Sequence, residues 1–229
     1  MVNFLKITVL VDNEPGRGLR SDWGWSALLE TEKWRALFDA DTDPSVLEYN
    51  SRRLGVDWRL DFGFLSHWHG DHYGGYEYVG KVSPGLKVYV PPGDGEILGD
   101  WGLNSVVVDE PALVAEDAWS SGPVGRMEEQ ALGVLVEGVG LVVVVGCSHP
   151  GVDVLASRLS EVVGEEVYMV IGGFHEPSKE TLDRIASISR LVCPAHCTGS
   201  RAKEYLELKY PEKTRSVRTG SIFMVGKEE

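Results

Sequence analysis

The chain has 229 residues, of which 43% are hydrophobic and 25% are charged. This composition is typical of a soluble globular protein that is large enough to bury a core without disulfides or structural metals. Its formal net charge of −13 disfavours a broad nucleic-acid surface, which needs a basic face, and disfavours binding to anionic membranes. It does not exclude an anionic small-molecule substrate, because bound metal ions can reverse the local field. We therefore expect one domain over residues 1–229 and a small-molecule partner, with the oligomeric state left open.

The three cysteines, Cys147, Cys193 and Cys197, are an odd number and do not suggest a disulfide framework. The first residues alternate apolar and polar side chains, unlike the apolar core of a secretion signal, and the longest apolar run (141–145) is too short to span a bilayer. We expect a reduced, cytoplasmic setting. Amide residues are scarce, with Gln130 the only glutamine, which is a trend of proteins from thermophiles.

The first half of the chain contains a strand-rich segment followed by one well-marked helix. The helix is expected to begin at Asp43, a capping residue followed by Pro44, and to end at Gly55. A short buried strand at residues 62–66 then leads directly into the hexapeptide HWHGDH. The preceding apolar patterns predict strands at 5–11, 26–29 and 36–38.

The stretch from 91 to 126 is rich in glycine, proline and acidic residues. We expect a flap or an irregular insertion there, with a short strand at 106–108, because long loops of this kind are often functional. A plain surface excursion is the alternative.

The second half repeats a strand–loop–helix pattern three times, and each loop carries one histidine. A final strand is expected at 222–225. The predicted strands are 141–145, 167–171 and 191–192, and the predicted helices are 152–159, 179–188 and 201–209.

All six histidines follow the end of a predicted strand. The carboxyl ends of strands are where open α/β sheets place their chemistry. A single histidine is more often a surface or hydrogen-bonded structural residue, but that interpretation does not account for the whole set. The six are His67, His69, His72, His149, His175 and His196.

The hexapeptide HWHGDH has the spacing of a metal site. Alternate residues of an extended segment point the same way, so His67 and His69 can bind one ion from one side, and Asp71 and His72 can serve a second. These ligands suit one or two zinc ions, with nickel, iron, manganese and magnesium as alternatives. The alternative, a polar cluster at a strand end, does not explain the three later histidines.

This hexapeptide resembles the signature of the metallo-β-lactamase superfamily. The resemblance implies an α/β (α+β) fold, a four-layer αββα sandwich in which two mixed sheets pack face to face and the metals lie at one edge. It also implies that His149 and His196 join the ligands, and that Asp39 orients ligands by hydrogen bonds. The implied metal set is His67, His69, Asp71, His72, His149 and His196.

Several further segments are similar to one branch, the archaeal 7,8-dihydropterin-6-methyl-4-(β-D-ribofuranosyl)aminobenzene-5′-phosphate synthases of methanopterin biosynthesis. The segments include EEQAL, GCSHPG, GGFH and HCTG. The chain departs from the branch where FDTG is replaced by FDAD (residues 38–41), and where the branch histidine before Gly-Leu-Ser is replaced in Trp-Gly-Trp-Ser (residues 23–26). The edge of the substrate pocket is therefore expected to differ.

The fourth motif also departs from the better-known hydrolases, in which an aspartate bridges the two ions. Here Gly172-Gly173-Phe174-His175 offers no carboxylate. We expect His175 to cap a metal or hydrogen-bond a bound anion, with simple loop packing as the alternative. We also expect the second site (Asp71, His72 and His196) to be partly empty without an anionic ligand. Asp71 and His175 are the catalytic candidates.

Other residues near the motifs have weaker interpretations. Cys147 and Cys197 are interpreted as small residues that pack under the loops. Trp23, Trp25 and Trp68 are expected near the site rim, where they could stack on a pterin-like ring, but ordinary core or rim packing is the favoured interpretation for each of them singly. Helix starts are ready anion sites, so we predict phosphate binding by Ser148, Thr198, Gly199, Arg201 and Lys203, with the ordinary chemistry of a helix start as the alternative.

Two divalent ions can stabilise a leaving phosphate or pyrophosphate, or can generate hydroxide from bound water. The first chemistry gives a synthase-like transferase, in which an arylamine-type substrate displaces pyrophosphate. The second gives a hydrolase, such as a phosphodiesterase or lactonase. A metal-binding sensor without turnover is a third possibility. The branch resemblance favours an enzyme that acts on a phosphate-bearing substrate.

Overall fold

A computed structural model of the chain describes residues 1–227, and residues 228 and 229, the end of the expected domain, lie outside the described part. The described strands form two mixed sheets, and none of the described helices combines the length and apolarity needed to cross a bilayer. The first sheet contains β1 (Phe4–Val11), β2 (Ser26–Glu30), β3 (Arg35–Phe38), β4 (Phe62–Phe64), β5 (Lys87–Val90), β6 (Asn104–Val107) and β13 (Ile222–Gly226). The second contains β7 (Ala112–Ala115), β8 (Ala118–Ser120), β9 (Leu132–Val136), β10 (Gly140–Val145), β11 (Val167–Gly173) and β12 (Ser189–Ala195). The helices are α1 (Pro44–Leu54), α2 (Gly70–Tyr73), α3 (Tyr76–Val82), α4 (Glu96–Asp100), α5 (Val152–Val163), α6 (Lys179–Ile188) and α7 (Ser200–Lys209).

Strand order places the loops that carry the histidines at one edge of each sheet. The first sheet has the order β13-β1-β2-β3-β4-β5-β6, and its strands from β3 to β6 run parallel. The second sheet has the order β12-β11-β10-β9-β8-β7, and β10, β11 and β12 run parallel. Because parallel strands end on the same side, the loops after β10, β11 and β12 lie next to one another.

The layers follow from which face each strand buries. In β10, Val142 and Val144 face the core between the sheets, whereas Leu141, Val143 and Val145 face the core beneath α5 and α6. A strand buried on both faces reads as a continuous apolar run, as β10 does. On the other side, side chains of α1 and α3 pack with the outer face of the first sheet. The expected four-layer αββα sandwich is confirmed.

The predicted elements are present, and the most local signals were the most accurate. Helix α1 begins where expected, since the Asp43 side chain accepts a hydrogen bond from the Ser45 backbone N–H at 2.7 Å. It ends at Gly55, whose φ of 68° is left-handed. The sequence patterns did not predict α3 or β5, which are short and lack a clear period.

The expectation of an irregular flap over 91–126 is wrong for much of that stretch. Helix α4 and strand β6 complete the edge of the first sheet, and β7 and β8 form a hairpin at the edge of the second. The segment is therefore the crossover between the two sheets. Its glycine-rich and acidic composition reflects short, partly exposed edge elements rather than the absence of structure.

Candidate metal centre

The loops that follow β4, β10, β11 and β12 bring all six histidines into one chain of ring contacts. The ring of His67 lies 4.6 Å from that of His69, 4.2 Å from that of His72 and 4.8 Å from that of His149, measured between centroids. The His72 ring lies 5.0 Å from the His196 ring, and the His149 ring 4.4 Å from the His175 ring. Residues up to 129 positions apart in sequence thus form one cluster, counted from His67 to His196.

On one side of the cluster, the ring nitrogens of His67 and His69 face each other. His67 Nε2 lies 3.1 Å from His69 Nδ1, and His67 Nδ1 lies 2.9 Å from the Ser66 hydroxyl. The Ser66 contact uses one nitrogen of His67 and leaves the other directed at His69. Burial and the neighbouring His72 hold the pKa of His67 well below its usual range, so this ring is neutral and has a free lone pair.

On the other side, Asp71, His72 and His196 converge. Asp71 Oδ2 lies 3.7 Å from His72 Nε2 and 3.3 Å from His196 Nε2. Burial and the neighbouring His196 lower the pKa of His72 to about 3, so it too is neutral. His196 is 3% exposed, and its Nε2 has no hydrogen-bond partner in the described chain. A buried nitrogen without a partner is costly unless something else binds it.

Two buried carboxylates orient this second group. Asp39 Oδ2 lies 2.6 Å from His72 Nδ1, and the carboxylate also accepts hydrogen bonds from the backbone N–H and the hydroxyl of Ser66, both at 2.7 Å. Burial raises the pKa of Asp39, and the hydrogen bonds from Ser66 oppose that rise. Asp12 accepts a hydrogen bond from the His196 backbone N–H at 2.7 Å, and Asn13 Oδ1 lies 2.9 Å from His196 Nδ1. Asp39 has the geometry that its predicted orienting role requires.

Glu129 is a buried residue of the site for which the sequence analysis assigned no role. Its carboxylate accepts hydrogen bonds from the backbone N–H groups of Cys147, Ser148 and His149 at 2.6–2.8 Å, and its Oε2 lies 2.8 Å from His149 Nδ1. Burial raises the pKa of Glu129, but the hydrogen bonds from His149 and from the backbone N–H of Ser148 outweigh burial and lower the pKa to about 2. The only sequence signal is an acidic residue three positions before a buried strand. Glu129 leaves His149 Nε2 directed at the cluster.

These separations fit a bound transition-metal ion. Two nitrogens on one tetrahedral zinc, each about 2.0–2.1 Å from it, lie roughly 3.3 Å apart. The His67–His69 nitrogen pair at 3.1 Å and the Asp71–His196 atom pair at 3.3 Å match that spacing. Within the described residues, one group of donor atoms that lie within 4.8 Å of one another is Asp71, His72, Cys147 and His196, and another is His67, Cys147 and His149. The donor set fits zinc, and fits nickel and iron as well.

Cys147 is buried, as its interpretation as a packing residue expects, but it also has neighbours that can bind a metal ion. Its Sγ lies 3.2 Å from His72 Nε2 and belongs to both groups of donor atoms. Its pKa is raised by a hydrogen bond with Cys197 and by burial, so the thiol is protonated in the chain without a cation. A cation would have to displace that proton.

The hydroxyl groups of two predicted phosphate-binding residues form hydrogen bonds within the loops, although Thr198 also lines a cavity with Gly199 and Arg201. The Ser148 hydroxyl is buried and donates to the Gly173 carbonyl at 2.8 Å. The Thr198 hydroxyl is also buried and donates to the Ala195 carbonyl at 2.6 Å. Both hydroxyls thereby stabilise the loops. Lys203 is engaged by Glu14, with 2.8 Å between Nζ and Oε1.

Gly199 and Arg201 line a cavity of about 520 Å³ that also contains Lys179 and Glu176. The cavity lies next to the histidine cluster along the loops that follow β11 and β12, not at the cluster itself. Arg201 is exposed there. An anion held in this cavity would meet two cationic side chains and one carboxylate.

The predicted rim residues divide between surface and core. His175 is exposed, with a φ of 39°, and its ring lies beside His149 at the mouth of the cluster. Trp23 is 62% exposed, and its ring lies 5.5 Å from that of His196. Trp68 is half-buried and donates to the Pro91 carbonyl. Trp25 is fully buried in the core between the sheets, which agrees with the packing interpretation and not with a place at the rim.

Comparisons with known proteins agree with this geometry. No family model matches the chain. It is 28% identical to an uncharacterised protein of Methanocaldococcus jannaschii, over 86% of this chain and 91% of the relative. It is 26% identical to the 7,8-dihydropterin-6-methyl-4-(β-D-ribofuranosyl)-aminobenzene-5′-phosphate synthase of the same organism, over 96% of this chain and 97% of the relative.

Among solved structures, a protein described as a metal-dependent hydrolase of the β-lactamase superfamily superposes with a TM-score of 0.81 at 25% identity, over 97% of this chain and 100% of that one. A metallo-β-lactamase fold protein from Bacillus subtilis superposes with a TM-score of 0.68 at 15% identity, over 97% of this chain and 100% of that one. The chain therefore has the metallo-β-lactamase fold, and the resemblance to this superfamily and to the synthase is confirmed.

Proposed function

We propose that this chain, which has the metallo-β-lactamase fold, is a metal-dependent enzyme that acts on a phosphate-bearing substrate at the histidine cluster. The reaction that we propose is a synthase-like transfer, in which the nitrogen of an arylamine-type substrate displaces pyrophosphate from a pterin. One C–N bond forms, one C–O bond breaks, pyrophosphate leaves, and the amine loses a proton.

The observation that carries the proposal is the convergence of free donor atoms from four loops. His67 and His72 are neutral, and Asp39 and Glu129 each use the outward nitrogen of a histidine and leave the inward one for a cation. A divalent cation bound there supplies Lewis-acid stabilisation of negative charge on oxygen, and lowers the pKa of bound water. Such a set of buried, oriented donors is costly to maintain without a ligand.

Asp71 and His175 are the side chains that we assign to the reacting groups. Although burial raises the pKa of Asp71, the neighbouring imidazoles of His196, 3.3 Å away, and His72 lower it below the usual range, so the carboxylate is ionised. His175 is exposed beside His149, and is therefore positioned to contact a substrate at the mouth of the cluster. We propose that His175 accepts the proton that the amine loses.

Two observations support a phosphate-bearing substrate. The synthase relative, whose name states a 5′-phosphate product, aligns over 96% of this chain. The cavity next to the cluster presents Lys179 and Arg201, and Arg201 lies in the first turn of α7, where free backbone N–H groups also favour an anion. We propose that this cavity binds a phosphate group of the substrate.

Hydrolysis is the second candidate reaction, because the solved structure with a TM-score of 0.81 is described as a metal-dependent hydrolase. The two candidates differ in whether water or an amine attacks. The residues that bind the cation are the same in both.

The test is to supply zinc-loaded protein with a pterin diphosphate and an arylamine phosphate, and to measure pyrophosphate and coupled product. We expect pyrophosphate release that requires the amine and is abolished by a chelator. Release without incorporation of the amine, or turnover of phosphodiesters, lactones or other esters, supports the hydrolase. If protein that carries its metal turns over neither the synthase substrates nor the esters, the result supports a metal-binding sensor.

The phosphate cavity is tested separately with Arg201→Ala, and Arg190→Ala is the matched control. Arg190 is an exposed arginine whose side chain is 73% accessible and lies 4.0 Å from Glu166, outside this cavity. We expect Arg201→Ala to raise KM for the phosphate-bearing substrate about tenfold, the loss of one charge-assisted contact, with unchanged metal content. An equal KM for the two variants would contradict the assignment.

A further inference from the structure

The thiol of Cys147 occupies the position between the two groups of donor atoms. Its Sγ lies within 4.8 Å of the ligand atoms of Asp71, His72 and His196, and within the same limit of those of His67 and His149. In the described chain it is the one residue common to both groups.

The local structure directs this thiol toward nitrogen atoms rather than hydrocarbon. The Cys147 backbone N–H donates to Glu129 Oε1 at 2.8 Å, which fixes the loop after β10. A side chain on Gly146 would lie 2.1 Å from the Ser66 hydroxyl, so the loop packs directly against the HWHGDH segment. His72 Nδ1 already faces Asp39, so its Nε2 is the nitrogen that faces Sγ, at 3.2 Å.

The end of β11, where the better-known hydrolases have a bridging aspartate, cannot supply a carboxylate in this chain. At the end of β11, a side chain on Gly172, whose φ is 135°, would lie 2.0 Å from the Val145 carbonyl oxygen. A side chain on Gly173 would lie 2.6 Å from the Gly146 carbonyl oxygen. Close backbone packing therefore excludes a metal-binding side chain at these two positions. With two divalent cations, Asp71 would be the one anionic side chain in the two groups of donor atoms found among residues 1–227.

We propose that Cys147 binds as a thiolate shared between the two cation positions, the first formed by His67, His69 and His149 and the second by Asp71, His72 and His196. The thiol proton passes to solvent when the cations bind. Sulfur has the lone pairs to bridge two cations and is a preferred ligand of zinc. The thiolate lowers the formal charge of the pair by one unit, which is the change that a bridging carboxylate would make.

A second observation points independently to a ligand at the same place. The Nε2 atom of His196 is buried, lacks a hydrogen-bond partner within residues 1–227, and belongs to the same group of donor atoms as Cys147 Sγ. A cation between these atoms would satisfy both. The proposal also changes the expectation drawn from the sequence, because a thiolate allows the second position to fill without an added anion.

Cys197 is the matched control for the experiment. It is another buried cysteine of the same cluster, 7% exposed, and its Sγ donates to the Cys147 carbonyl at 3.8 Å. It belongs with Cys147 and His175 to a third group, but not to either of the two that contain Asp71 or His67. Cys197→Ser therefore changes a neighbouring thiol without removing the proposed bridge.

The experiment uses the full chain and measures coordination directly. In wild-type protein loaded with zinc, X-ray absorption should detect a sulfur neighbour at about 2.3 Å. Loaded with cobalt(II) instead, the protein should show a thiolate-to-cobalt charge-transfer band. We expect Cys147→Ser to lose both signals and to bind the second cation roughly tenfold or more weakly, and Cys197→Ser to keep both. Circular dichroism and thermal unfolding check that each variant is folded.

The wild-type spectrum decides even if Cys147→Ser does not fold. Bound cations with only nitrogen and oxygen neighbours would overturn the proposal, as would signals that survive in Cys147→Ser and vanish in Cys197→Ser. The proposal shares with the proposed function only the need for cations at this cluster. Sulfur ligation without turnover would support the bridging thiolate and contradict the proposed enzymatic function. Turnover without sulfur ligation would support the enzymatic function and contradict the bridging thiolate.

Discussion

Replacing Glu129 by glutamine tests whether one buried carboxylate organises the loop that carries His149. The variant keeps the size of the side chain but turns one oxygen into an NH₂ group. Oε1 now accepts from the backbone N–H groups of Cys147 and Ser148, and Oε2 accepts from that of His149 and lies 2.8 Å from its Nδ1. Whichever oxygen is replaced, the new NH₂ group faces two donors and can accept from neither.

The size of the effect follows from the pKa of Glu129, which is lowered from its usual 4.5 to about 2 in a fully buried group. At about 1.4 kcal/mol for each tenfold change in proton affinity, this corresponds to roughly 3 kcal/mol of folding stability at neutral pH. Because the pKa is lower in the folded state, the stabilisation is complete above pH 4.5. It is lost as the pH falls from 4.5 toward 2.

The assay is urea unfolding of chelator-treated wild type, Glu129→Gln and the control Glu128→Gln, an exposed neighbour, at several pH values. We expect Glu129→Gln to lose about 3 kcal/mol at pH 7 and progressively less toward acid pH, with unchanged stability for the control. Zinc affinity should fall about 10- to 100-fold, because His149 loses its orienting partner. A loss at pH 7 below about 0.5 kcal/mol, or one that does not diminish in acid, would refute the reasoning.

Three further changes have predicted outcomes. Burial raises the pKa of Asp41 from its usual 3.8 to about 8, so its contribution to stability falls as the pH rises through that range. Asp41→Asn should therefore flatten the dependence of urea-unfolding stability on pH. Wild-type and variant curves that run parallel across this range would contradict the prediction. Gly172→Ala places a side chain 2.0 Å from the Val145 carbonyl at a φ of 135° and should lower unfolding stability by at least about 2 kcal/mol, whereas Gly99→Ala, in open space, should not. His149→Ala should reduce zinc content, measured by elemental analysis, more than it reduces the thermal midpoint, and normal zinc content would contradict its role as a ligand.

Local signals in the sequence were sufficient for most of the elements and for identifying residues of the type that binds metals. Asp43 and Gly55 correctly mark the beginning and the end of α1, because capping depends on a few consecutive residues. The spacing of HWHGDH predicts a metal site because alternate residues of an extended segment share one side. The sequence also predicted that each histidine follows a strand, and the loops after β4, β10, β11 and β12 carry them as expected.

Tertiary structure alone decided which side chains face the cluster. Glu129 reaches its partners across 18–20 positions in sequence, and Asp12 reaches His196 across 184, so no local pattern reveals either contact. The backbone of Ser148 is left-handed, with a φ of 62°, and its hydroxyl turns inward to Gly173 although its place before a helix suggested an anion site. Beyond the end of a strand, side-chain direction depends on loop dihedrals and on packing between distant loops. That is why sequence identified the residues able to bind metal, and only the fold brought Cys147 to lie between them.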